Sequence, residues 1–348
     1  MASGAPHFLI RSVRESDLDE LYRLSKFVFF LNLPSDREIL KKKIALSLDS
    51  FGGALEDKFA REYVFVLEDL AEQRLLGSSL IISRHGSPSS PHMYFELREV
   101  HKYSETIHAG FIHKVLQLKF DSDGPTEIGG LMLEPSFRRH PKRLGRQLSF
   151  SRFMWVKMRR RWFKNFILSE LMPPLTDSGQ SVLWEAVGRR FTNLSYQEAD
   201  ALSRKNKEFV TSLFPTGSIY TCLLSGEARD ALGKVGQDTE PVRHMLEKIG
   251  FEWKDHIDPF DGGPHYWAPT KSIVPVRNTQ AYRVMSENSA SRKKHKSSGL
   301  CAQFVHNEFA CVHTDFDLVG GRVQLPKPVL ELLNLTVDSR VFILKDES

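Results

Sequence analysis

The chain has 348 residues, 41% hydrophobic and 26% charged, so it is long enough to bury the core of one large domain or of two smaller ones. Its longest apolar runs fall far short of the roughly 20 residues that span a membrane, and it lacks an N-terminal signal peptide, which predicts a cytoplasmic protein without a membrane partner. The net charge of +5 is the small difference between 48 basic and 43 acidic residues, so charge alone does not predict nucleic-acid binding.

The first part of the chain predicts strands and helices in alternation. Residues 8–13 have the pattern of a strand, and a helix begins near Asp17. Residues 62–69 and 75–84 predict the two strands of a hairpin. Two segments between residues 95 and 120 predict further strands or a short helix.

A basic cluster separates a strand from a helix in EIGGLMLEPSFRRHPKRLGRQLSFSRFMW, residues 127–155. The strand ends at Pro135 and the helix begins near Leu144. A helix N-terminus offers unpaired N–H groups and the positive end of the helix dipole, so this loop suits a pyrophosphate, although it is also typical of a solvated basic turn. The candidate phosphate ligands are Arg138, Arg139, Lys142, Arg143, Gly145 and Arg146.

The strand before this loop contains two adjacent glycines, Gly129 and Gly130. Glycine weakens a strand interior, so the pair predicts a bulge or a place where a ligand lies against the strand backbone. A pantetheine arm could pair there.

The second part of the chain continues the alternation. Residues 164–174 predict a strand and residues 181–191 a helix, followed by further helices and the strand 251–257. The fold class predicted is α/β (α+β), a mixed sheet flanked by helices. The three cysteines, at 222, 301 and 311, form no CxxC pair, so we predict reduced thiols, no disulfide framework and no structural zinc site, and we assign no metal ligand.

The end of the chain changes in composition. We predict a core over residues 1–276, a polar basic linker over 277–299 and a small β-rich segment over 300–348. The stretch GGRVQLPKPVLELLNLTVDSRVFIL is similar in pattern to the swapped-hairpin barrel of AbrB-like proteins. We take from it only a barrel-like fold, because a DNA-binding role does not follow from a fold.

Six motifs give the chain a family resemblance over nearly its whole length. They occur in the family's order and spacing: YVFVLED, EIGGLMLEP, LSFSRFM, LWEAVGRRF, IYTCLLS and IDPFDGGP. With them the chain resembles the GNAT acyl-CoA N-acyltransferases and, more specifically, the alpha-chain family of arginine and ornithine N-succinyltransferases. The resemblance implies a GNAT-like core over 1–276.

The resemblance also implies a reaction, the transfer of a succinyl group from succinyl-CoA to the α-amino group of arginine, or of ornithine, in arginine catabolism. It implies succinyl-CoA as a co-substrate rather than a permanently bound cofactor. The partners it implies are an acyl-CoA, a basic amino acid and further chains in a homo- or hetero-oligomer, with no nucleic acid.

The acyl-CoA contact of the family falls on Leu131. A backbone N–H of Leu131 or Met132 would polarise the thioester carbonyl as negative charge develops on its oxygen. The alternative is that Leu131 is a core residue.

The proton carrier is where this chain departs from the family, because the family's proton-donor histidine falls on Gly236. Amine attack on a thioester needs a base and an acid, and glycine is neither. We take Tyr220 as the candidate because it lies in a matched motif, with His244, His256 and His265 as alternatives. A slower enzyme that relies on orientation, and a non-catalytic acyl-CoA- or amino-acid-binding protein, stay open.

Two further departures concern specificity. A glycine-rich stretch of the relatives is FVFFLNLP here, at 27–34, and their GNG at the phosphate loop is RLG, so that Arg143 would replace backbone contacts by a charge-assisted bond. For the amino acid, a guanidinium needs carboxylates and a carboxylate needs a cation. The candidate ligands for the guanidinium are Glu127 and Asp261. The candidate ligands for the carboxylate are Arg189 and Arg190.

Overall fold

The structure is a computed structural model that describes residues 5–27, 34–88, 90–203, 205–285 and 297–346. In these ranges no helix is both long enough and apolar enough to cross a membrane. The chain forms two compact units, one comprising Met1–Ser83, Ile128–Lys164 and Thr270–Ser348, the other Arg84–Glu127 and Asn165–Pro269. We call them the first and the second unit.

The strands follow one another along the chain as β1 (Phe8–Ser12), β2 (Glu62–Asp69), β3 (Arg74–Ile82), β4 (His92–Ser104), β5 (Ala109–Asp121), β6 (Thr126–Leu133), β7 (Phe166–Glu170), β8 (Ile219–Tyr220), β9 (Glu252–Ile257), β10 (Pro264–Pro269), β11 (Gln280–Val284), β12 (Ser297–Val305), β13 (Glu308–Val319), β14 (Arg322–Gln324) and β15 (Arg340–Lys345). The α-helices are α1 (Leu18–Ser25), α2 (Arg37–Gly52), α3 (Leu144–Met158), α4 (Arg189–Thr192), α5 (Tyr196–Ser203), α6 (Glu208–Leu213), α7 (Gly226–Ala231), α8 (Glu240–Lys248), α9 (Val274–Asn278) and α10 (Lys327–Leu332).

In the first unit, β2 is buried on both faces. Side chains alternate between the faces of a strand. Val64 and Val66 lie in an aliphatic cluster with residues of α1 and α2. Phe65, on the opposite face, packs edge-on against Phe309 with ring centroids 5.2 Å apart, and the neighbouring Tyr63 contacts Trp155 of α3. Each such buried side chain contributes roughly 1.5–3 kcal/mol to stability, so β2 contributes strongly to the core of this unit.

The C-terminal strands of the first unit form a closed five-stranded barrel in the order β12, β15, β11, β14, β13 and back to β12. Its interior is filled by aliphatic and aromatic side chains that include Val312, Phe316, Val323 and Ile343. Each of the five described strands therefore pairs with two neighbours.

The second unit contains an antiparallel sheet in the order β7, β10, β9, β4, β5, β8, and the first two residues of β6 pair in parallel with β7. Its core packs Trp184 face to face against Phe260, with ring centroids 5.1 Å apart. The two segments between 95 and 120, for which helix was also open, are the strands of the long β4–β5 hairpin.

These elements confirm the predicted fold class, a mixed α/β fold with a small barrel-like C-terminal segment. Within the predicted linker, residues 280–284 form β11, whereas residues 286–296 lie outside the described residues. Most of FVFFLNLP, residues 28–33, also lies outside them. The domain boundaries at 276 and 299 stay predictions.

Candidate functional site

The basic loop lies in the first unit and ends where α3 begins. Arg139 and Arg143 both have left-handed backbone angles, with φ of 60° and 52°. The loop is held by a hydrogen bond of 2.6 Å from Gln147 Nε2 to the carbonyl oxygen of Lys142. A side chain at Gly145 would meet no atom within 4 Å, so the first turn of the helix is open on that side.

A cleft of about 370 Å³ lies beside this helix start. Its polar lining comprises Lys142, Arg143, Arg146, Gln147, His313, Lys345 and Asp346. Asp346 is paired with His313 at 2.7 Å, and this hydrogen bond is the main reason why the pKa of Asp346 lies below its ordinary value. The cleft is therefore basic overall and suited to an anionic group.

Strand β6 has an irregular centre, as its two glycines predict. Gly130 has a left-handed φ of 54°, and Arg152 of α3 donates a hydrogen bond of 3.1 Å to the carbonyl oxygen of Gly129. Just beyond the end of β6, the backbone N–H of Glu134 donates a hydrogen bond of 2.7 Å to the carbonyl oxygen of Leu76 in β3.

The orientation of the two candidate N–H donors follows from that pairing. The carbonyl of Met132 faces Gly77 of β3, because a β-carbon added to that glycine would lie 2.4 Å from it. The backbone N–H and C=O groups of consecutive residues in a strand point to opposite edges of that strand. The backbone groups of Leu131 therefore point away from β3.

The second unit contains a cluster of titratable side chains around Glu170, the last residue of β7. His265 is its cross-strand neighbour on β10, His92 begins β4, and His85 lies in the loop before β4. Glu170 Oε1 lies 3.5 Å from Nε2 of His92, 3.5 Å from Nε2 of His265 and 3.8 Å from Nε2 of His85. Three imidazoles thus converge on one carboxylate oxygen.

The environment of the histidines differs from one to the next. Nδ1 of His85 forms a close ion pair with Glu127, which is 1% exposed. His92 and His265 are 1% and 0% exposed, and within the described parts of the chain neither of their ring nitrogens has a hydrogen-bond partner. Burying an unpaired polar group costs free energy, which makes these two side chains unusual for a core.

Burial and neighbouring charges set the pKa values of the cluster. Burial lowers the pKa of His92 well below its ordinary value and that of His265 to about 3. Burial also acts to lower the pKa of His85, but Glu127 outweighs it and the net shift is upward. For Glu170, burial is outweighed by His265, His85 and Lys207, so its pKa is lowered.

A turn with two aspartates borders this cluster. Asp258 Oδ1 accepts hydrogen bonds from the backbone N–H groups of Phe260 and Asp261, at 2.7 and 3.1 Å, and Asp261 accepts one from Gly263 at 2.8 Å. Burial raises the pKa of Asp258 to about 7, and the charge of Glu170 adds to the shift. Burial, followed by Asp258, also raises the pKa of Asp261. Both aspartates shape their turn.

The structure thus brings three of the residues named from the sequence into one region, namely Glu127, Asp261 and the alternative proton carrier His265. Tyr220 lies elsewhere in this unit, on β8 beside β5, with its ring 5.4 Å from that of His113.

Arg189 and Arg190 are exposed, the first pairing with Glu185 at 3.0 Å and the second donating to the carbonyl of Ala186. Of the two remaining alternative proton carriers, His244 is exposed on α8 and His256 lies on β9.

Four residues of this region, His85, His92, Asp258 and Glu170, were not predicted from the sequence. The available signal was weak: two histidines bracket a Ser- and Pro-rich turn between strands, and a glutamate ends the apolar strand FILSE. Neither pattern specifies a partner, because the residues that meet are far apart along the chain.

Comparison with known proteins gives matches over most of the chain. The profile of the family described as Arginine N-succinyltransferase beta subunit matches residues 8–275. An arginine N-succinyltransferase of Photorhabdus laumondii subsp. laumondii is 31% identical over 82% of this chain and 82% of its own length, and one of Escherichia coli is 29% identical over 97% of both.

A solved structure agrees in fold as well as sequence. The arginine/ornithine succinyltransferase subunit AI of Pseudomonas aeruginosa superposes with a TM-score of 0.85, at 26% identity, over 99% of this chain and 100% of that one. Fold and matches together define the chain as an acyltransferase. It belongs to the arginine N-succinyltransferase family, which confirms the predicted resemblance and enzyme class.

Proposed function

We propose that this protein transfers a succinyl group from succinyl-CoA to the α-amino group of arginine or ornithine. The observation that carries the proposal is the full-length match to a structure named arginine/ornithine succinyltransferase, supported by relatives of at least 30% identity that bear the name arginine N-succinyltransferase.

The proposed site for the coenzyme A phosphates is the start of α3. The first turn of the helix provides N–H groups and Gly145 leaves space beside them, while Arg138, Arg139, Arg143 and Arg146 supply positive charge. A charge-assisted hydrogen bond to phosphate contributes about 1.5–3 kcal/mol, so the loss of one arginine is expected to weaken binding about tenfold or more.

For the thioester we propose Leu131 rather than Met132 as the N–H donor to the carbonyl oxygen. The backbone of Met132 faces β3, whereas that of Leu131 points to the opposite edge of β6. A donor aimed at the developing oxyanion accelerates acyl transfer. The side chain of Met132 lies in the buried aliphatic cluster of the first unit.

For the amino acid we propose the acidic groups of the second unit, with Glu127 and Asp261 for the cationic side chain. Arg189 and Arg190 stay the candidates for a carboxylate of either substrate. Their exposure and the ion pair of Arg189 mean that such a role requires them to exchange partners when substrate binds.

We propose Tyr220 as the proton carrier, with His244, His256 and His265 as the alternatives. Burial lowers the pKa of His265 to about 3, so its ring is neutral at neutral pH but is a weaker base than a group whose pKa lies near 7, which favours Tyr220 over it. Gly236 packs against Pro173 too closely for any side chain: an added β-carbon would lie 2.8 Å from the carbonyl oxygen of Pro173. The absence of a histidine at position 236, and of space for one, favours the second candidate function, a non-catalytic acyl-CoA-binding protein.

The test is to incubate the full chain with succinyl-CoA and a panel of amino acids, measuring the released thiol and the product by tandem mass spectrometry. Nα-succinylarginine or Nα-succinylornithine is the expected product. The variant Arg143→Gln should raise the KM for succinyl-CoA about tenfold, whereas the exposed Arg161→Gln should leave it unchanged.

Two other outcomes have clear meanings. Thermal stabilisation by coenzyme A without release of thiol from any pair of substrates would establish the non-catalytic candidate. The absence of both thermal stabilisation and turnover would overturn both candidates.

A further inference from the structure

The histidine cluster of the second unit has a feature that amine acylation does not require. Two buried imidazoles without hydrogen-bond partners in the described part of the chain, His92 and His265, face a carboxylate that a third imidazole also approaches. Hydrogen-bonded networks normally satisfy such groups, and a metal ion is the other common way to do so.

We propose that His85, His92 and Glu170 form a binding site for a divalent transition metal ion, with Zn²⁺ as the ion that fits best. One ligand atom from each of the three lies within 4.8 Å of the other two. Two imidazoles and one glutamate are a donor set used for zinc and for non-haem iron.

The distances suit such an ion. Metal–ligand bonds of about 2.0–2.1 Å at tetrahedral angles place donor atoms roughly 3.4 Å apart. Glu170 Oε1 lies 3.5 Å from Nε2 of His92 and 3.8 Å from Nε2 of His85, close to this separation. The ligand atoms of His85 and His92 lie within 4.8 Å of each other, so the two rings would move together when an ion binds.

A second shell is already in place. Glu127 pairs with Nδ1 of His85, which leaves Nε2 of the same ring directed toward Glu170. This carboxylate–histidine arrangement orients metal-binding histidines and increases their basicity. Metal entry is possible because His85 and Glu170 retain 18% and 25% side-chain exposure, while His92 is buried.

A second donor group, Glu170 with Asp258 and His265, shares the glutamate. We place the ion in the first group because Asp258 already holds its turn through two backbone hydrogen bonds. Lys207 opposes a cation through its charge, but Glu127 and Glu170 both attract one. The inference does not rest on the proposed function.

The experiment measures metal binding to the full chain after removal of bound metal with a chelator. Isothermal titration with Zn²⁺ and competition with a chromogenic chelator should give one equivalent per chain and a raised Tm, and Co²⁺ should give the visible absorption of a nitrogen- and oxygen-ligated ion. The variants His85→Gln and Glu170→Gln should each weaken Zn²⁺ binding at least 100-fold, and Glu127→Gln should weaken it 10- to 100-fold.

The control is His244→Gln, which removes an exposed histidine on α8 and should bind Zn²⁺ like the parent. Circular dichroism of every variant checks that it is folded. The partly exposed His85 keeps the test valid even where a substitution at buried His92 prevents folding. Folded parent protein that takes up less than a tenth of an equivalent, or variants that bind as tightly as the control, would overturn the proposal.

Discussion

Arg152 Nη1 donates a hydrogen bond of 3.1 Å to the carbonyl oxygen of Gly129, so a buried side chain of α3 holds the irregular centre of β6. The same guanidinium bonds to the carbonyl and the hydroxyl oxygens of Ser149, at 3.3 and 2.8 Å. Burial lowers its pKa to about 9, which still leaves it protonated at neutral pH. Fixing the glycine pair in this way positions the neighbouring Leu131.

We therefore expect Arg152→Met to affect the acyl-CoA site more than stability. Removing a buried charge offsets much of the loss of its hydrogen bonds, so the free energy of unfolding should change by less than about 2 kcal/mol. The KM for succinyl-CoA should rise about fivefold or more, a change that corresponds to roughly 1 kcal/mol of lost positioning. Steady-state kinetics and urea unfolding measure the two effects, with exposed Arg161→Met as control. An unchanged KM in the folded variant would refute the positioning role.

The ion pairs of Glu134 should make a contribution to the free energy of unfolding that depends on pH. Glu134 bonds to Arg23 at 2.9 Å and Arg74 at 2.8 Å. Burial acts to raise its pKa, but these arginines outweigh burial and the pKa is lowered. A carboxyl group whose pKa is lower when folded stabilises the protein fully above its unfolded pKa of about 4.3 and loses this contribution as the pH falls further.

We expect Glu134→Gln to cost about 1–2 kcal/mol at pH 7, because the two arginines are only one-third exposed. The difference from the parent should shrink below about pH 4. Urea unfolding from pH 7 to pH 3 measures this, and exposed Glu99→Gln should show no such trend. A deficit that stays constant with pH would contradict the assignment to charge.

The cysteines should differ in reactivity. Cys222 is exposed, whereas Cys301 and Cys311 are buried. Burial raises the pKa of Cys301 to about 12 and that of Cys311 well above its ordinary value, and the thiolate is the reactive form. A disulfide reagent that reacts with thiolates should therefore label one thiol per native chain at pH 8 and three thiols after unfolding. Labelling of Cys301 or Cys311 in native protein, located by peptide mass mapping, would show that the barrel opens.

Gly236 should not accept a side chain. Because an added β-carbon would lie 2.8 Å from a backbone oxygen of Pro173, Gly236→Ala should destabilise by about 1–3 kcal/mol. Gly236→His should destabilise at least as much and should not raise the rate of succinyl transfer. Gly217→Ala is the matched control, since a β-carbon there meets no atom within 4 Å and should leave stability unchanged or slightly raised. A stable, faster Gly236→His enzyme would contradict this view.

The sequence by itself determined the fold class, the strand and helix around the basic loop, an irregular backbone at Gly129–Gly130 and the family. These depend on local patterns, such as apolar periodicity, glycine in a strand and basic residues before a helix, which neighbouring residues establish without long-range contacts.

Only the tertiary structure decided which polar groups meet. His85, His92, Glu127, Glu170 and His265 come from five separate segments, and the register of β10 on β7 is what places His265 beside Glu170. Likewise, because β6 pairs with β3 through Met132, the backbone N–H and C=O of Leu131 point to the opposite edge of β6. The packing of Pro173 excludes a side chain at Gly236. Strand register and close packing are set by the whole chain, so no local pattern encodes them.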